Sequence, residues 1–375
     1  MLFKEVGKYG GKFIPPLVLL LIFSGCSLLD FGTKLNTTPL DIPLNAAFIL
    51  SPSSGYIFVI DTEGDSLVGS EEVARRNNIK FEDAYDFLIH NGLIYIPIYN
   101  KENSNEGSNV LRILNPASGE IEESRVGWAP NNIFSIGNNL AFISTNLMYF
   151  QNAYCYNYVY DLNTKKVIDT IKFKRSLVDF AISNGDTVIM DVKSFGGNNE
   201  LSEYFVLYSK KTKSIIDSGI PSYNIYAYPH CVIKDGANLY VGGTNRIAVF
   251  SLSDLSLKKN IYLEKIGKYG SILSGFAVAH HKLYVSYLMD FSSNGKTRID
   301  IIDLNTYKCI KSIDILKNGA QAIDYSQSAD KIFVPAYEGG NIYVINPLSD
   351  SIVDTIKTDK DITFTVIHEK DSNTY

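Results

Sequence analysis

Three residues stand at matching places along the chain and are of types that move protons or hold cations. Asp86, Asp179 and His230 each lie five residues before the Asn or Asp of a short turn signal. A carboxylate close to an imidazole can act in general acid–base chemistry, and carboxylates also bind cations. Repeated polar residues equally serve to hydrogen-bond buried backbone groups, and this second interpretation stays open.

Aromatic side chains mark two further candidate binding positions. One segment, 219–230, concentrates hydrogen-bonding rings: Tyr223, Tyr226, Tyr228 and His230. The other holds Trp128, the only tryptophan, between Gly127 and Pro130. A flat ring with a polar group suits a sugar, a peptide or an aromatic ligand. The same rings can instead pack as cover over neighbouring elements, so both interpretations remain.

The cysteines give no sign of redox or metal chemistry. Cys155, Cys231 and Cys309 lie in separate strand-like segments without a Cys-x-x-Cys or Cys/His spacing. We predict that they are buried thiols that pack as small apolar side chains. The chain has no P-loop, no Gly-x-Ser-x-Gly elbow and no His-Glu-x-x-His motif. We therefore expect no cofactor and no metal ion, and no catalytic residue is assigned.

Residues 1–26 have the order of a targeting segment. A basic start with Lys4, Lys8 and Lys12 precedes an apolar run, Leu17–Phe23. That run is far shorter than the roughly 20 residues that a membrane span requires. The residues Phe23-Ser-Gly-Cys26 then resemble the bacterial lipobox, whose cysteine is lipid-modified and becomes the new N-terminus. This resemblance implies a lipid anchor at Cys26; an ordinary signal peptide or an uncleaved anchor is the alternative.

The segment after Cys26 bears on location. Residues 27–44 show little periodicity and are predicted to be a tether. Ser27, rather than an aspartate, follows the cysteine. By the enterobacterial sorting pattern, this favours the outer membrane or the cell surface, with the periplasmic face as the alternative.

A pattern of strand, strand, polar turn and strand recurs along the chain. The polar turns begin at Asp61, Asn115, Asp161, Ser209, Ser251, Asp303 and Asn346. Their spacing of 42 to 54 residues is the period of a four-stranded propeller blade. The segments before these turns are rich in Ile, Val, Tyr and Phe, which favour β-strands. The sequence therefore predicts an all-β, seven-bladed β-propeller of four-stranded antiparallel blades over residues 45–370.

The two ends of the repeat array are predicted to meet in one blade. The first unit lacks an innermost strand, because Ala46–Leu50 is followed directly by the strand at Tyr56. A spare strand, Ile362–Glu369, follows the last unit. Closing the N-terminal blade with this C-terminal strand would remove two open sheet edges. Residues 371–375 would then form a short tail.

The repeat also resembles a known family. The segments Lys282-Leu-Tyr-Val-Ser, Arg298-Ile-Asp-Ile-Ile-Asp-Leu-Asn-Thr and Ile310-Lys-Ser-Ile are similar to the YVTN-type repeat of bacterial and archaeal propellers, relatives of the WD-repeat propellers. The resemblance covers residues 45–370 and implies a closed ring with a central funnel. It implies no single function, because such propellers host many activities. Lactonase-type, streptogramin-lyase-like and amine-dehydrogenase propellers are among them, and an enzyme of this kind would use His230 with Asp86 and Asp179.

The charge balance restricts the partners. The net charge is −5, and loss of residues 1–25 would make it −7 without leaving a basic stripe. Nucleic acid is therefore excluded as a partner. We expect a monomer, held on the membrane through Cys26, that binds an envelope protein, a glycan or a small ligand without catalysis. The alternative is a propeller enzyme with its site at the central funnel.

Overall fold

A computed structural model describes most of the chain from residue 39 onward. The described residues are 39–43, 45–51, 55–72, 82–100, 109–145, 154–195, 201–221, 231–243, 245–264, 273–287, 297–315, 320, 322–336, 340–358 and 367–369. The chain divides into two units, Met1–Leu35 and Asn36–Tyr375, and all the described residues belong to the second unit. Within the described part no residue is helical, and no helix there could cross a membrane.

The described strands form seven antiparallel sheets, one for each blade. Blades 1 and 2 contain β1 Ala46–Ser51, β2 Tyr56–Asp61, β3 Ser66–Glu72, β4 Glu82–Ala84, β5 Leu88–His90, β6 Leu93–Asn100, β7 Val110–Asn115 and β8 Glu120–Arg125. Blades 3 and 4 contain β9 Pro130–Gly137, β10 Leu140–Thr145, β11 Tyr154–Asp161, β12 Lys166–Lys174, β13 Ser176–Asn184, β14 Thr187–Phe195, β15 Leu201–Ser209 and β16 Ser214–Pro221.

The remaining strands complete the ring. Blades 5 and 6 contain β17 Val232–Asp235, β18 Asn238–Gly243, β19 Arg246–Ser251, β20 Leu257–Tyr262, β21 Leu273–Ala279, β22 Lys282–Tyr287, β23 Thr297–Asp303 and β24 Lys308–Ile315. Blade 7 contains β25 Asp324–Ser326, β26 Lys331–Pro335, β27 Asn341–Asn346 and β28 Ser351–Lys357, and β29 is Ile367–Glu369.

The predicted fold and its closure are confirmed. Strand β29 pairs antiparallel with β1, with Ile49 opposite Ile367 and Ala47 opposite Glu369, so that blade 1 has the order β29-β1-β2-β3. The C-terminal strand therefore supplies the innermost strand of the first blade. Because edge strands expose unpaired backbone groups, this pairing covers an edge of β1 that the N-terminal sequence alone would leave open.

The alternation of apolar side chains buries both faces of each blade. In β14, Val188, Met190 and Val192 pack against blade 3, whereas Ile189 lies in the seam with blade 5. Clusters of buried apolar residues fill all seven seams between neighbouring blades. The core is thus a ring of seams rather than one central mass, and each blade is held chiefly by its two neighbours.

The two faces of the ring differ in their connections. The turn face carries the tight turns after the innermost strands and the polar turns after the third strands. Asn91 and Gly92 show the expected tight-turn geometry, with φ values of 51° and 72° that suit a two-residue hairpin. We call the opposite face, where the innermost strands begin, the mouth face.

Side chains from the second strands of blades 2 and 6 tie these blades to the polar turns of blades 3 and 7. The hydroxyl of Tyr95 donates to the carbonyl oxygen of Leu162 at 3.2 Å, and that of Tyr284 donates to Pro347 at 3.1 Å. Both tyrosines occupy the third position of a second strand. At these two positions the Tyr of the repeat is therefore explained by an inter-blade hydrogen bond, since buried hydroxyls require a partner.

One predicted strand differs from the structure in an informative way. The innermost strand of blade 2, expected at Tyr85–Ile89, is interrupted between β4 and β5. The break lies at Asp86, whose carboxylate accepts hydrogen bonds from the backbone N–H of Phe87 and of Ile133, both at 2.9 Å. A side chain has thus replaced the sheet partner of the backbone at this point.

The prediction of buried thiols is correct for two of the three cysteines. Cys155 and Cys231 are buried, whereas Cys309 is exposed. Cys309 is the second residue of the outermost strand of blade 6, β24, and an outermost strand has a neighbouring strand on one side only. The apolar character of a strand therefore does not ensure burial at the rim of the ring.

Candidate functional site

Several predicted site residues lie outside the described residues. These are Cys26, Tyr223, Tyr226, Tyr228 and His230. The tyrosine-rich segment falls between the end of β16 at Pro221 and Cys231, which begins the description of blade 5. The two described residues that flank it, Pro221 and Cys231, lie at the ends of blades 4 and 5 where the innermost strands begin.

Asp86 lies in the seam between blades 2 and 3. Its side chain is buried, at 7% exposure, and one of its two backbone donors, Ile133, belongs to β9 of the next blade. Burial raises the pKa of this carboxyl to about 7, against the lowering effect of the hydrogen bonds from Ile133 and Phe87. Of the two interpretations of Asp86, this geometry fits the one in which its carboxylate hydrogen-bonds buried backbone groups.

Asp179 lies in blade 4 at a bulge of β13. The pairing of β13 with β14 shifts between Val178 and Phe180, and Asp179 occupies the extra position. Its carboxylate forms an ion pair with the ammonium of Lys193 on β14. The backbone donors that bind Asp86 therefore lie in blades 2 and 3, whereas the lysine that binds Asp179 lies in blade 4. His230 is not among the described residues.

Two more carboxylates surround Lys193. We call Asp179, Asp191, Lys193 and Glu203 the blade 4 charge cluster. Lys193 lies opposite Glu203 in the pairing of β14 with β15, and its Nζ is 3.5 Å from Glu203 Oε1. Asp191, Lys193 and Glu203 are all buried, with exposures of 2%, 3% and 7%. The cluster lies toward the mouth face, because it occupies the start of β13 and β15 and the second half of β14.

The cluster offers the oxygen ligands that divalent cations prefer. One oxygen from each of its three carboxylates lies within 4.8 Å of the others. The ammonium of Lys193 already supplies a positive charge at this place, bound to two of the three. The arrangement is therefore that of a buried ion-pair network, in which the lysine offsets part of the mutual repulsion of the acids.

Sequence reasoning missed Asp191, Lys193 and Glu203. A signal for them was present, because Met190-Asp-Val-Lys193 places charges on alternate positions of a strand whose other positions are apolar. In a blade with two buried faces, such charges must point into a seam. Their convergence on Asp179 depends on the bulge in β13, which the sequence pattern does not reveal.

Trp128 lies on the mouth face, just before β9. Its backbone N–H donates to the hydroxyl of Tyr158 at 3.0 Å, and its half-buried ring packs on a small cluster of Ala129, Cys155 and Leu177. These contacts draw together residues of blades 3 and 4. Trp128 therefore has a packing role, and part of its ring remains accessible on the mouth face.

Gly127 is what permits this arrangement. Residues with a side chain rarely adopt its backbone φ of +145°, and a Cβ at this residue would lie 2.2 Å from Cζ of Tyr158. The tyrosine ring thus lies directly against the backbone of residue 127. Tyr158 is buried, which raises the pKa of its hydroxyl.

Other aromatic residues extend this area of the mouth face. Tyr99, near the end of β6, packs on the same small cluster as Trp128 and makes an edge-to-face contact with Tyr85 at a ring separation of 6.3 Å. Tyr154, at the start of β11, is 48% exposed. We call Tyr85, Tyr99, Trp128 and Tyr154 the mouth aromatics. Their rings offer apolar surface at the mouth ends of blades 2 and 3, and such rings suit a planar or sugar-like ligand.

Comparison with known proteins gives the fold and not the function. No protein-family model matches the chain, and no curated protein matches it. Among solved structures 1326 chains match, so the architecture by itself does not select an activity. One is the dihydro-heme d1 dehydrogenase NirN, solved in complex with DHE. The match has a TM-score of 0.55 over 89% of this chain and 80% of that chain, at 9% identity.

Proposed function

We propose that this chain is a lipid-anchored β-propeller of the cell envelope that binds its partner at the mouth face without catalysis. The anchor is Cys26, and the propeller belongs to the YVTN-type repeat group. The partner is an envelope protein, a glycan or a small ligand. The mouth aromatics, together with Tyr223, Tyr226 and Tyr228 from the adjoining connection, form the binding surface.

One observation carries the choice of binding over catalysis. The two carboxylates that the sequence offered for acid–base chemistry are each committed to a separate structural contact. Asp86 accepts two backbone hydrogen bonds across the seam of blades 2 and 3, and Asp179 is ion-paired with Lys193 in blade 4. General acid–base catalysis requires groups within hydrogen-bond reach of one reacting atom. Contacts of this kind favour rigidity instead.

The alternative is a propeller enzyme with its site at the central funnel. One solved structure with a similar fold is a dehydrogenase that is named for dihydro-heme d1. At 9% identity this likeness shows the fold alone. The enzyme alternative is therefore tested by including tetrapyrroles among the ligands.

The test is a thermal-shift screen of the mature chain with sugars, peptides, metal ions, cobalamins and haem. A ligand at a hundredfold excess over its Kd stabilises the folded state by about 2.7 kcal/mol. Because Trp128 is the only tryptophan, its fluorescence reports directly on the mouth face. We expect a hit to raise Tm and to change this fluorescence together.

Matched variants locate the site. Tyr226→Ala and Tyr228→Ala should abolish the shift, whereas Tyr262→Ala, an exposed tyrosine on outer strand β20, should keep it. A ligand whose shift survives both loop variants and leaves Trp128 fluorescence unchanged would contradict a site at the mouth. Turnover of a bound tetrapyrrole by the purified protein would establish the enzyme instead.

A further inference from the structure

The chain joins the ring at the turn face. Residues 39–43 run along the seam between blades 1 and 2, where the backbone N–H of Leu40 donates to the carbonyl oxygen of Pro116 at 3.2 Å. Pro116 belongs to the polar turn of blade 2. Asn45 then accepts a hydrogen bond from the N–H of Thr62 at 3.0 Å, in the polar turn of blade 1. Both contacts are on the turn face.

This segment, residues 39–43, is packed rather than merely attached. The side chain of Leu40 lies so close to Gly69 of β3 that a Cβ there would be 2.9 Å from Leu40 Cδ2. Leu40 and Ile42 pack on the apolar cluster in the seam of blades 1 and 2. A cavity of about 280 Å³ beside Ile42 is lined by Phe48, Ile89 and other residues of this seam. The path of the chain is therefore fixed to the turn face as far as Pro39.

The length of the tether limits how far the anchor can be from this face. Twelve residues lie between Cys26 and Pro39. Fully extended they would span at most about 43 Å, and as a flexible coil about 20 Å on average. A lipid at Cys26 would therefore hold the bilayer nearer to the turn face than to the mouth face.

A group of lysines lies on the same face, across the ring from the tether. We call Lys210, Lys211, Lys213 and Lys234 the lysine patch. Lys210 donates to the hydroxyl of Ser183 at 3.0 Å and Lys234 to the carbonyl of Ser183 at 3.2 Å, so their ammonium groups converge. Lys211 and Lys213 are exposed in the polar turn of blade 4.

The patch has four lysines against three nearby acids: Asp186, Asp235 and the exposed Asp254. Asp254 lies in the polar turn of blade 5, which contacts the tight turn of blade 4 through the hydrogen bond from Asn184 to the carbonyl of Leu252. Asp186 and Asp235 occupy the tight turns of blades 4 and 5. The carboxylate of Asp186 attracts the ammonium of Lys210, whereas the ammonium of Lys234 repels that of Lys210. The polar turn itself, Ser209-Lys-Lys-Thr-Lys213, contains no acidic residue. Clustered lysines of this kind attract anionic lipid headgroups by about 1 kcal/mol each near a membrane surface.

We propose that the turn face, through its lysine patch, rests on anionic headgroups of the bilayer that holds the Cys26 anchor, so that the mouth face points away from the membrane. This inference depends on the proposed lipid anchor. Residues 39–43 and the lysine patch lie on opposite sides of the same face, so that a lipid on the tether and the patch together would restrict both the distance and the tilt of the ring. The mouth aromatics would then face a partner that approaches from the side away from the membrane.

The test uses the lipid-modified full chain in vesicles, with Cys309→Ser to remove the exposed thiol. A fluorophore is placed at Asn163→Cys on the turn face or at Tyr154→Cys on the mouth face; both positions are exposed. In vesicles of phosphatidylcholine and phosphatidylglycerol, we expect headgroup nitroxides to quench the Asn163 label severalfold more than the Tyr154 label. Iodide in the aqueous phase should give the reverse order. Equal quenching of the two labels, or the opposite order, would overturn the proposal.

Charge variants test the patch. Lys211→Glu with Lys213→Glu should remove the difference between the labels and should lower binding to anionic vesicles. Lys174→Glu with Lys357→Glu makes the same charge change at exposed residues near the mouth ends of β12 and β28, and should preserve the difference. A difference that persists in the patch variant would refute the role of the lysines.

Failure of the anchor is measured separately. Incorporation of labelled palmitate, with Cys26→Ala as the negative control, reports on the lipid and not on orientation. A chain that takes up no palmitate contradicts the proposed function. A chain that is lipidated but shows no preferred orientation contradicts only the present inference.

Discussion

Lys331, at the start of β26, places its Nζ 2.7 Å from Oδ2 of Asp65 in the polar turn of blade 1. The same ammonium donates to the carbonyl oxygens of Thr62 and Glu63, both at 3.1 Å. Lys282 makes the equivalent contact one blade earlier, with Asp350 at 2.6 Å. This contact, from the first lysine of a second strand to an aspartate in the polar turn of the next blade, is called the lysine latch. It occurs inside the array at Lys282 and again at Lys331, at the seam where the ring closes.

Replacement of Lys331 by methionine should weaken this closure. Hydrogen bonds to charged groups contribute about 1.5–3 kcal/mol each, although partial exposure reduces the value for this lysine. We expect the free energy of unfolding to fall by about 1–3 kcal/mol, as measured by urea denaturation. Lys259→Met, at an exposed position of β20, is the matched control and should change stability by less than about 0.5 kcal/mol. Equal losses in both variants would show that the latch contributes nothing specific.

The raised pKa of Asp86 predicts a dependence of stability on pH. Because the pKa of this carboxyl is about 7 in the folded state and 3.8 in the ordinary state, the folded chain binds the proton more tightly. The resulting stability is present at low pH and is lost as the pH rises from about 4 to 7. Asp86→Asn, which resembles the protonated form, should therefore gain stability relative to the parent chain over this range.

Asp303→Asn is the control for the sign of that effect. Hydrogen bonds from the backbone and hydroxyl of Thr306 hold the pKa of Asp303 below its ordinary value. Its contribution is present above the ordinary pKa and is lost as the pH falls below it. This variant should therefore lose stability relative to the parent as the pH rises toward 3.8 and should stay level above it, a change opposite in sign to that of Asp86→Asn between pH 4 and 7. Parallel curves for the two variants would contradict the assignment.

Removal of Lys193 should be more damaging than removal of a surface lysine. Lys193→Met leaves the buried Asp191 and Glu203 and the partly buried Asp179 around the place of the lost charge, and a broken buried pair costs about 3–5 kcal/mol. We expect chemical denaturation to show a loss of this size at pH 7. Addition of Glu203→Gln to Lys193→Met should recover part of it, and a strictly additive double variant would argue against coupling within the cluster.

Gly127→Ala should disturb the mouth face. The new methyl group would meet the ring of Tyr158 at 2.2 Å, and the φ of +145° is strained for alanine. We expect a loss of about 2 kcal/mol or more, with a change in Trp128 fluorescence. Tyr158→Ala should relieve the steric part of this loss, so the double variant should be more stable than the sum of the two single losses predicts. Simple additivity would place the cost in the backbone alone.

The sequence predicted the parts of the fold that depend on local pattern. Strands such as Val110–Asn115 and Asn341–Asn346 have the predicted bounds, because alternation and turn residues define them within a few positions. The ring closure also followed from the pattern, since pairing the spare C-terminal strand with the incomplete first blade is the arrangement that removes both open sheet edges. What escaped prediction depends on distant contacts. The break at Asp86 arises from the N–H of Ile133, 47 residues away.

The candidate site shows the same division. The sequence could identify Trp128 as exceptional, but its packing on Cys155 and Leu177 requires knowledge of how blades 3 and 4 meet. Likewise, the charge of Lys193 is readable in the sequence, whereas its ion pair with Asp179 depends on a bulge. Residue type thus predicts which interactions a side chain can make, whereas the packing of neighbouring blades determines which residues it contacts.

The pairing of β29 with β1 has a consequence for biogenesis. Because β1 lies near residue 46 and its partner near residue 367, the first blade stays incomplete until residues 367–369 have left the ribosome. During that interval the edge of β1 is open to pairing with another nascent chain. Chaperone protection of the emerging N-terminal half would therefore matter more for this protein than for one whose terminal blades are each built from contiguous sequence.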